Sequence, residues 1–199
     1  MKLIITRHGE TIENKRGILQ GHLHGTLSKK GIDQAKRVAE RLKDEKIDAI
    51  YSSDLARAAD TAKEIGKFHP KIKIKFVKEL RERYFGEFQG KTIEEIGWSE
   101  VGGKPNVTSV QPKDGESLEE MYLRAKKFLD KIIHKHQKEN ILFVAHEGID
   151  KAIISVITNQ NADNILKMES LKNTSINIYE INENRNHKIH LFNCIKHLA

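Results

Sequence analysis

Arg7 and His8 close the first apolar run of the chain, Arg57 and His146 follow later ones, and residues 79–90 between them offer three carboxylates, Glu79, Glu82 and Glu87. Together these residue types suit phosphoryl transfer through a histidine. Imidazole is substantially neutral and nucleophilic near pH 7, so His8 can attack phosphorus without a separate activating base. Two guanidiniums, Arg7 and Arg57, would hold the equatorial oxygens bidentately, with a protonated His146 as a third donor. A carboxyl group would protonate the leaving oxygen and later take a proton from water. Charge and spacing alone do not choose among the three glutamates. No step needs a metal.

Such chemistry requires the four places to converge, and the pattern of elements provides a sheet edge for them. Lys2 to Thr6 is a strand-length apolar run that breaks at Arg7-His8-Gly9, where the chain turns. From Thr11 to Thr26 a short helical turn leads into a loop with Gly17, Gly21 and Gly25, backbone able to approach an anion closely. Ser28 caps a helix that carries Ile32, Ala35, Ala39 and Leu42 to about Asp44. Ile47 to Tyr51 is the second strand, and Ser52-Ser53-Asp54 caps a helix from Leu55 to Lys67 with Arg57 in its first turn. Ile72, Ile74 and Phe76 alternate with lysines, as on a half-exposed edge strand. Residues 79–90 mix charge, aromatics and glycine, a composition more common in sites than in cores.

Thr92 to Ile96 reads as a short helix, and residues 91–116 as a lid or insertion within a single domain spanning 1–199. Ser117 caps the longest helix, with Leu118, Met121, Ala125, Phe128, Leu129, Ile132 and Ile133 on one side. Ile141 to Ala145 has no alternation, which fits a central parallel strand covered on both faces. It ends in His146 and leads to a helix from about Gly148 to Ile157. Ser175 to Ile181 and Lys188 to Ile195 form a hairpin. Alternating strands and helices indicate a layered α/β fold.

Composition narrows the setting. With 38% hydrophobic and 32% charged residues the chain reads as a globular protein, and no apolar run approaches the roughly 18 residues of a spanning helix. The first residues lack a signal-peptide pattern, so a cytoplasmic location is expected. One cysteine, Cys194, rules out an intramolecular disulfide and a thiolate-rich metal site, and suits a packed or edge-strand position. A net charge of +7 favours an anionic partner, but the lysines are dispersed rather than gathered in one arm. Zinc-finger spacing and aromatic-basic RNA motifs are both missing, so a small phosphorylated substrate is expected, with no nucleic acid and no membrane. Oligomeric state is not legible. His134 and His136 stand two apart on a helix, point to different faces and are expected to be solvated, whereas His22 and His24 lie in the glycine loop within reach of substrate.

Arg7-His8-Gly9-Glu10-Thr11, Ser52-Ser53-Asp54-Leu55-Ala56-Arg57-Ala58, Leu80-Arg81-Glu82-Arg83 and Val144-Ala145-His146 together resemble the histidine phosphatase (phosphoglycerate mutase-like) superfamily, branch 1. The likeness spans nearly the whole chain and is nearest to the small phosphatase members. It implies a three-layer α/β/α fold whose mostly parallel sheet carries an antiparallel edge strand. It also implies His8 as nucleophile and Glu82 as acid/base. Arg7, Arg57 and His146 become the phosphate clamp, with Asn14, Gln20 and Gly21 lining the pocket and neither metal nor cofactor required.

Three departures bear on specificity. His24-Gly25-Thr26-Leu27 stands where relatives commonly read Asp-x-Pro-Leu, and Glu147-Gly148 where many read Gly-Gly. Arg83-Tyr84-Phe85 follows Glu82 where glycolytic mutases usually read Arg-His-Tyr. These differences favour hydrolysis of a small phosphomonoester over mutase turnover, with a non-catalytic phospholigand binder as the third reading. Phosphoserine, phosphoglycerates, sugar phosphates and cobalamin-precursor phosphates are the candidate substrates. Glu147, a carboxylate beside a phosphate site, suggests a substrate with a cation near its phosphate.

Overall fold

In the computed structural model, which describes residues 1–96 and 111–199, the first apolar run forms β1 (Lys2–Arg7). It lies inside a sheet with β2 (Ala49–Ser53), β3 (Ile74–Val77), β4 (Asn140–Ala145), β5 (Ile176–Ile181) and β6 (His187–Cys194). The order is β3-β2-β4-β1-β5-β6. β1, β2, β3 and β4 run parallel, and β5 and β6 add two antiparallel strands at one edge. Helices α2 (Lys29–Leu42) and α3 (Ala56–Gly66) pack together, as do α4 (Leu118–Lys135) and α5 (Glu147–Ile157). Short α1 (Ile12–Lys15) and α6 (Asn164–Lys167) flank them.

Alternation along β1 explains the three layers. Ile4 points to the α2 and α3 side, where it joins Val38, Leu42, Ala62, Ile65, Leu142 and Val144. Leu3 and Ile5 point the other way, to Met121, Ala125, Ile149, Ile153 and Phe143. Each such side chain, fully buried, contributes about 1.5–3 kcal/mol of transfer free energy. Because the chain leaves β1 toward one face and β4 toward the other, a crevice opens beyond the carboxyl ends of these neighbouring strands, where open α/β sheets bind ligands.

The turn out of β1 is tightly packed. A Cβ on Gly9 would meet the Gly31 carbonyl oxygen at 2.4 Å, and one on Gly31 would meet the Glu10 oxygen at 1.9 Å. Two glycines thus let the turn lie against the start of α2. Ser28 caps that helix through Gly31 N–H at 3.0 Å, and Gln34 Oε1 accepts from Glu10 N–H at 2.8 Å.

Several local expectations are corrected. The second strand extends through Ser53, so Ser52 and Ser53 belong to β2 and α3 has no side-chain cap at Leu55. Ile32 is exposed on α2, where Gln34 takes the inward place, and Phe76 on β3 is 46% exposed. Residues 93–96 form a turn rather than a helix. His136 is buried instead of solvated, because it ends α4 with non-helical dihedrals and turns inward to Tyr51 Oη at 2.8 Å. Of the expected lid over 91–116, residues 97–110 lie outside the described residues. No helix among the described residues is long and apolar enough to cross a membrane.

Candidate active site

His8 follows β1 directly, and its own N–H donates to the Ala145 carbonyl at 3.0 Å, which sets it beside His146 at the end of β4. The two rings are 5.1 Å apart. His8 is 3% exposed, and its Nδ1 lies 2.7 Å from the Gly9 carbonyl oxygen. A carbonyl only accepts, so the hydrogen-bond network assigns the proton to Nδ1 and leaves the lone pair on Nε2. Arg57 Nε donates to that lone pair at 3.3 Å. Burial, then the charges of Arg57 and Arg7, hold the His8 pKa well below the usual histidine value. The ring is therefore neutral and nucleophilic at neutral pH.

Arg57, in the first turn of α3, is 1% exposed. Its Nη1 donates to the Leu23 and His24 carbonyls and its Nη2 to Gly21 O at 2.9 Å, so the guanidinium anchors the glycine loop while facing His8. Burial pushes its pKa down to about 10, against the pull of Glu82. It remains a cation at pH 7.

His146 is fully buried, with Nε2 2.8 Å from Ser53 Oγ. That hydroxyl also accepts from Leu55 N–H at 3.2 Å, so it ties the His146 ring to the residue that precedes α3. The other ring nitrogen, Nδ1, is buried without a partner among the described residues. Burial, then Arg57, His8 and Arg7, lower the His146 pKa well below the ordinary value. In this environment the expected imidazolium gives way to a neutral ring.

Arg7 Nη1 donates to Glu147 Oε2 at 2.7 Å and to Leu171 O at 2.6 Å, while its buried Nε has no partner among the described residues. Glu147 Oε1 meets Lys151 Nζ at 3.1 Å, one turn along α5. Although burial opposes it, Arg7 and Lys151 hold the Glu147 carboxyl below its usual range. Glu147 is thus engaged on both oxygens by the protein, which removes the motive for a cationic substrate group opposite it.

Glu82 Oε1 accepts from Arg83 N–H at 2.9 Å and Oε2 from Gly148 N–H at 3.1 Å. Its backbone carbonyl is held by His22 Nε2 at 2.9 Å and Arg124 Nη2 at 3.4 Å. Arg81 is drawn away to Asp54 by two bonds of 2.7 and 2.6 Å. His22 therefore reaches protein rather than substrate, and His24 Nδ1 accepts from Ala56 N–H at 3.4 Å.

Arg7, His8, Asn14, Gln20, Gly21, Arg57 and Glu82 line one cavity of about 390 Å³, whereas His146 is not among its lining residues and packs behind His8. Asn14 and Gln20 both spend hydrogen bonds on Thr11, at 3.1 and 2.9 Å, so they hold the loop as well as face the cavity. Sequence reasoning missed Ser53, which holds the His146 ring at Nε2, and Lys151, although its spacing from Glu147 on a helix was readable. It missed α6, whose Ile165 and Leu166 close the cavity, because only four residues carry no period. Among the described residues no cluster of three or more histidine, cysteine or carboxylate side chains has metal-binding geometry.

Known proteins share this arrangement of elements. Phosphoglycerate mutase-like protein 4 of Arabidopsis thaliana is 34% identical over 203 residues, covering 99% of this chain and 86% of its own. The metal-independent phosphoserine phosphatase of the same plant is 35% identical, covering 92% of this chain and 78% of its own. A crystal structure of the Entamoeba histolytica phosphoserine phosphatase with 3-phosphoglyceric acid is 28% identical, covers 100% of this chain and 99% of that one, and has a TM-score of 0.84. The family model of the histidine phosphatase superfamily (branch 1) matches residues 3–194, and the chain belongs to that family.

Proposed function

We propose that the protein is a metal-independent phosphomonoester hydrolase that acts through a phosphohistidine at His8. The observation that carries this reading is the fixed tautomer of His8, whose Nδ1–H is held by the Gly9 carbonyl so that Nε2 presents its lone pair beside Arg57. In the first step that lone pair forms a bond to phosphorus as the bond to the leaving oxygen breaks. Glu82 gives the leaving oxygen its proton, and Arg57 together with the Nε side of Arg7 neutralises the equatorial oxygens. His146 completes the clamp, its ring packed against His8. In the second step water attacks the phosphohistidine, Glu82 takes the water's proton, and the His8–phosphorus bond breaks to release phosphate.

Relatives named as phosphoserine phosphatases support hydrolysis of a small phosphorylated metabolite, while those named as mutases keep phosphotransfer as the second reading. Substrate labelled at phosphorus, followed by rapid quenching, tests both. The expected result is an acid-labile, base-stable label on the protein, phosphate released to water, and insensitivity to chelator. His8→Ala should lose label and turnover together; full turnover in that variant would overturn the proposal. Transfer of the label to a second substrate hydroxyl instead of water would establish the mutase reading.

A further inference from the structure

The cavity walls differ in chemistry. One side carries the groups assigned above to the phosphate; much of the remainder is Ile18, Leu19, Phe85, Met121, Ile165 and Leu166. These side chains come from separate elements, and several are firmly held. Met121, Phe85 and Ile165 are buried, and the backbone of Leu19 is tied to Lys91 O at 2.9 Å and Gly90 N at 2.8 Å. An apolar wall alone is ordinary for a pocket, which normally adds a few polar groups to orient its ligand. Here the two cations outside the phosphate clamp are engaged by the protein. Lys151 Nζ bonds Glu147 at 3.1 Å, and buried Arg83 donates through Nε to Glu116 O at 2.7 Å. A carboxylate on the leaving group would have to share these cations with their protein acceptors, Glu147 among them with its own negative charge, and be desolvated against aliphatic side chains.

We infer that the preferred leaving group is an apolar alcohol of aryl or medium alkyl size, rather than a carboxylate-bearing one. This rests on the hydrolase reading above. With phosphate at the His8 end, a linear alkyl chain would run along the aliphatic wall. Each methylene it buries should raise kcat/KM about fourfold, the equivalent of ~0.8 kcal/mol.

Steady-state hydrolysis of methyl, propyl, butyl and hexyl phosphate tests this, alongside phosphoserine and 3-phosphoglycerate. The expected result is a rise of about two- to fourfold per methylene until the cavity is filled, with the longer esters at least tenfold better than the two carboxylate-bearing ones. Leu166, half-buried on α6, offers a variant that spares the core: Leu166→Asp should reduce the ratio of hexyl to methyl phosphate turnover several-fold. A flat series, or preference for phosphoserine or 3-phosphoglycerate, would overturn the inference and leave the hydrolase reading standing. No turnover of any ester and no label on His8 would overturn that reading, and the inference with it.

Discussion

A methyl group added at Gly148 would lie 2.3 Å from Glu82 Oε1, an overlap that the end of a flexible side chain relieves by swinging away. Gly148 also donates its N–H to the other carboxylate oxygen at 3.1 Å. Gly148→Ala should therefore fold with little change in melting temperature while displacing the proposed proton donor. Turnover of an alkyl phosphate, whose leaving oxygen needs that proton, should fall on the order of 100-fold. An aryl phosphate with an acidic phenol should lose far less; equal losses on both would show that Gly148 does not act through Glu82. The carboxylate itself stood out only because a family pattern selected it over Glu79 and Glu87. The glycine's role was hidden, since the clash joins residues 66 positions apart. Ser53 was hidden for a related reason: two serines before an aspartate read as a helix cap, and only the neighbouring strand brings His146 to the hydroxyl.

Helix α5 carries a cost that its amphipathic pattern does not reveal. Asp150 is fully buried, and neither carboxylate oxygen has a partner among the described residues. Burial, then the negative charge of Glu82, raises its pKa well above the ordinary 3.8, with Arg7 pulling the other way and Glu147 adding to the rise. The folded state thus keeps a proton that the unfolded chain has lost, and stability falls as pH rises above the unfolded value. Asp150→Asn, an isostere of the protonated form, should raise the urea midpoint at pH 7 by at least about 1 kcal/mol equivalent and change it little at pH 3.5. An equal effect at both pH values would refute the ionisation argument. At the level of elements the sequence was most legible where a period ran long. The 18 residues of α4 and the unalternating run of β4 were placed to within a residue or two. It was least legible where tertiary context overrode local preference. Ser52 and Ser53 extend β2 because Val144 of β4 pairs with the first and Val77 of β3 with the second, and His136 leaves the helical surface because Tyr51 and Glu139 receive it.

Two histidines beside the cavity bear on the acid sensitivity of the whole molecule. His8 and His146 both have folded pKa values well below the unfolded 6.5. The stability linked to their neutrality is full above about pH 6.5 and is lost as pH falls below it, since unfolding then takes up protons. Melting temperature should accordingly drop between pH 6.5 and 5, before the paired carboxylates titrate. Asp150 acts in the opposite sense over this range, so Asp150→Asn should steepen the drop, and a combined His8→Asn, His146→Asn variant should flatten it. An unchanged slope in the combined variant would place the sensitivity elsewhere. The sheet order has a separate consequence, in time rather than in space. β1 pairs only with β4 and β5, Lys2 meeting Asn140 and Glu180. On the ribosome, at about 5–20 residues per second, the strand bearing His8 emerges before β4 and β5 and waits several seconds for either neighbour. A stalled or truncated product ending before Asn140 therefore holds the proposed nucleophile on an unpaired, aggregation-prone strand, and the candidate site can assemble only after β4 has emerged.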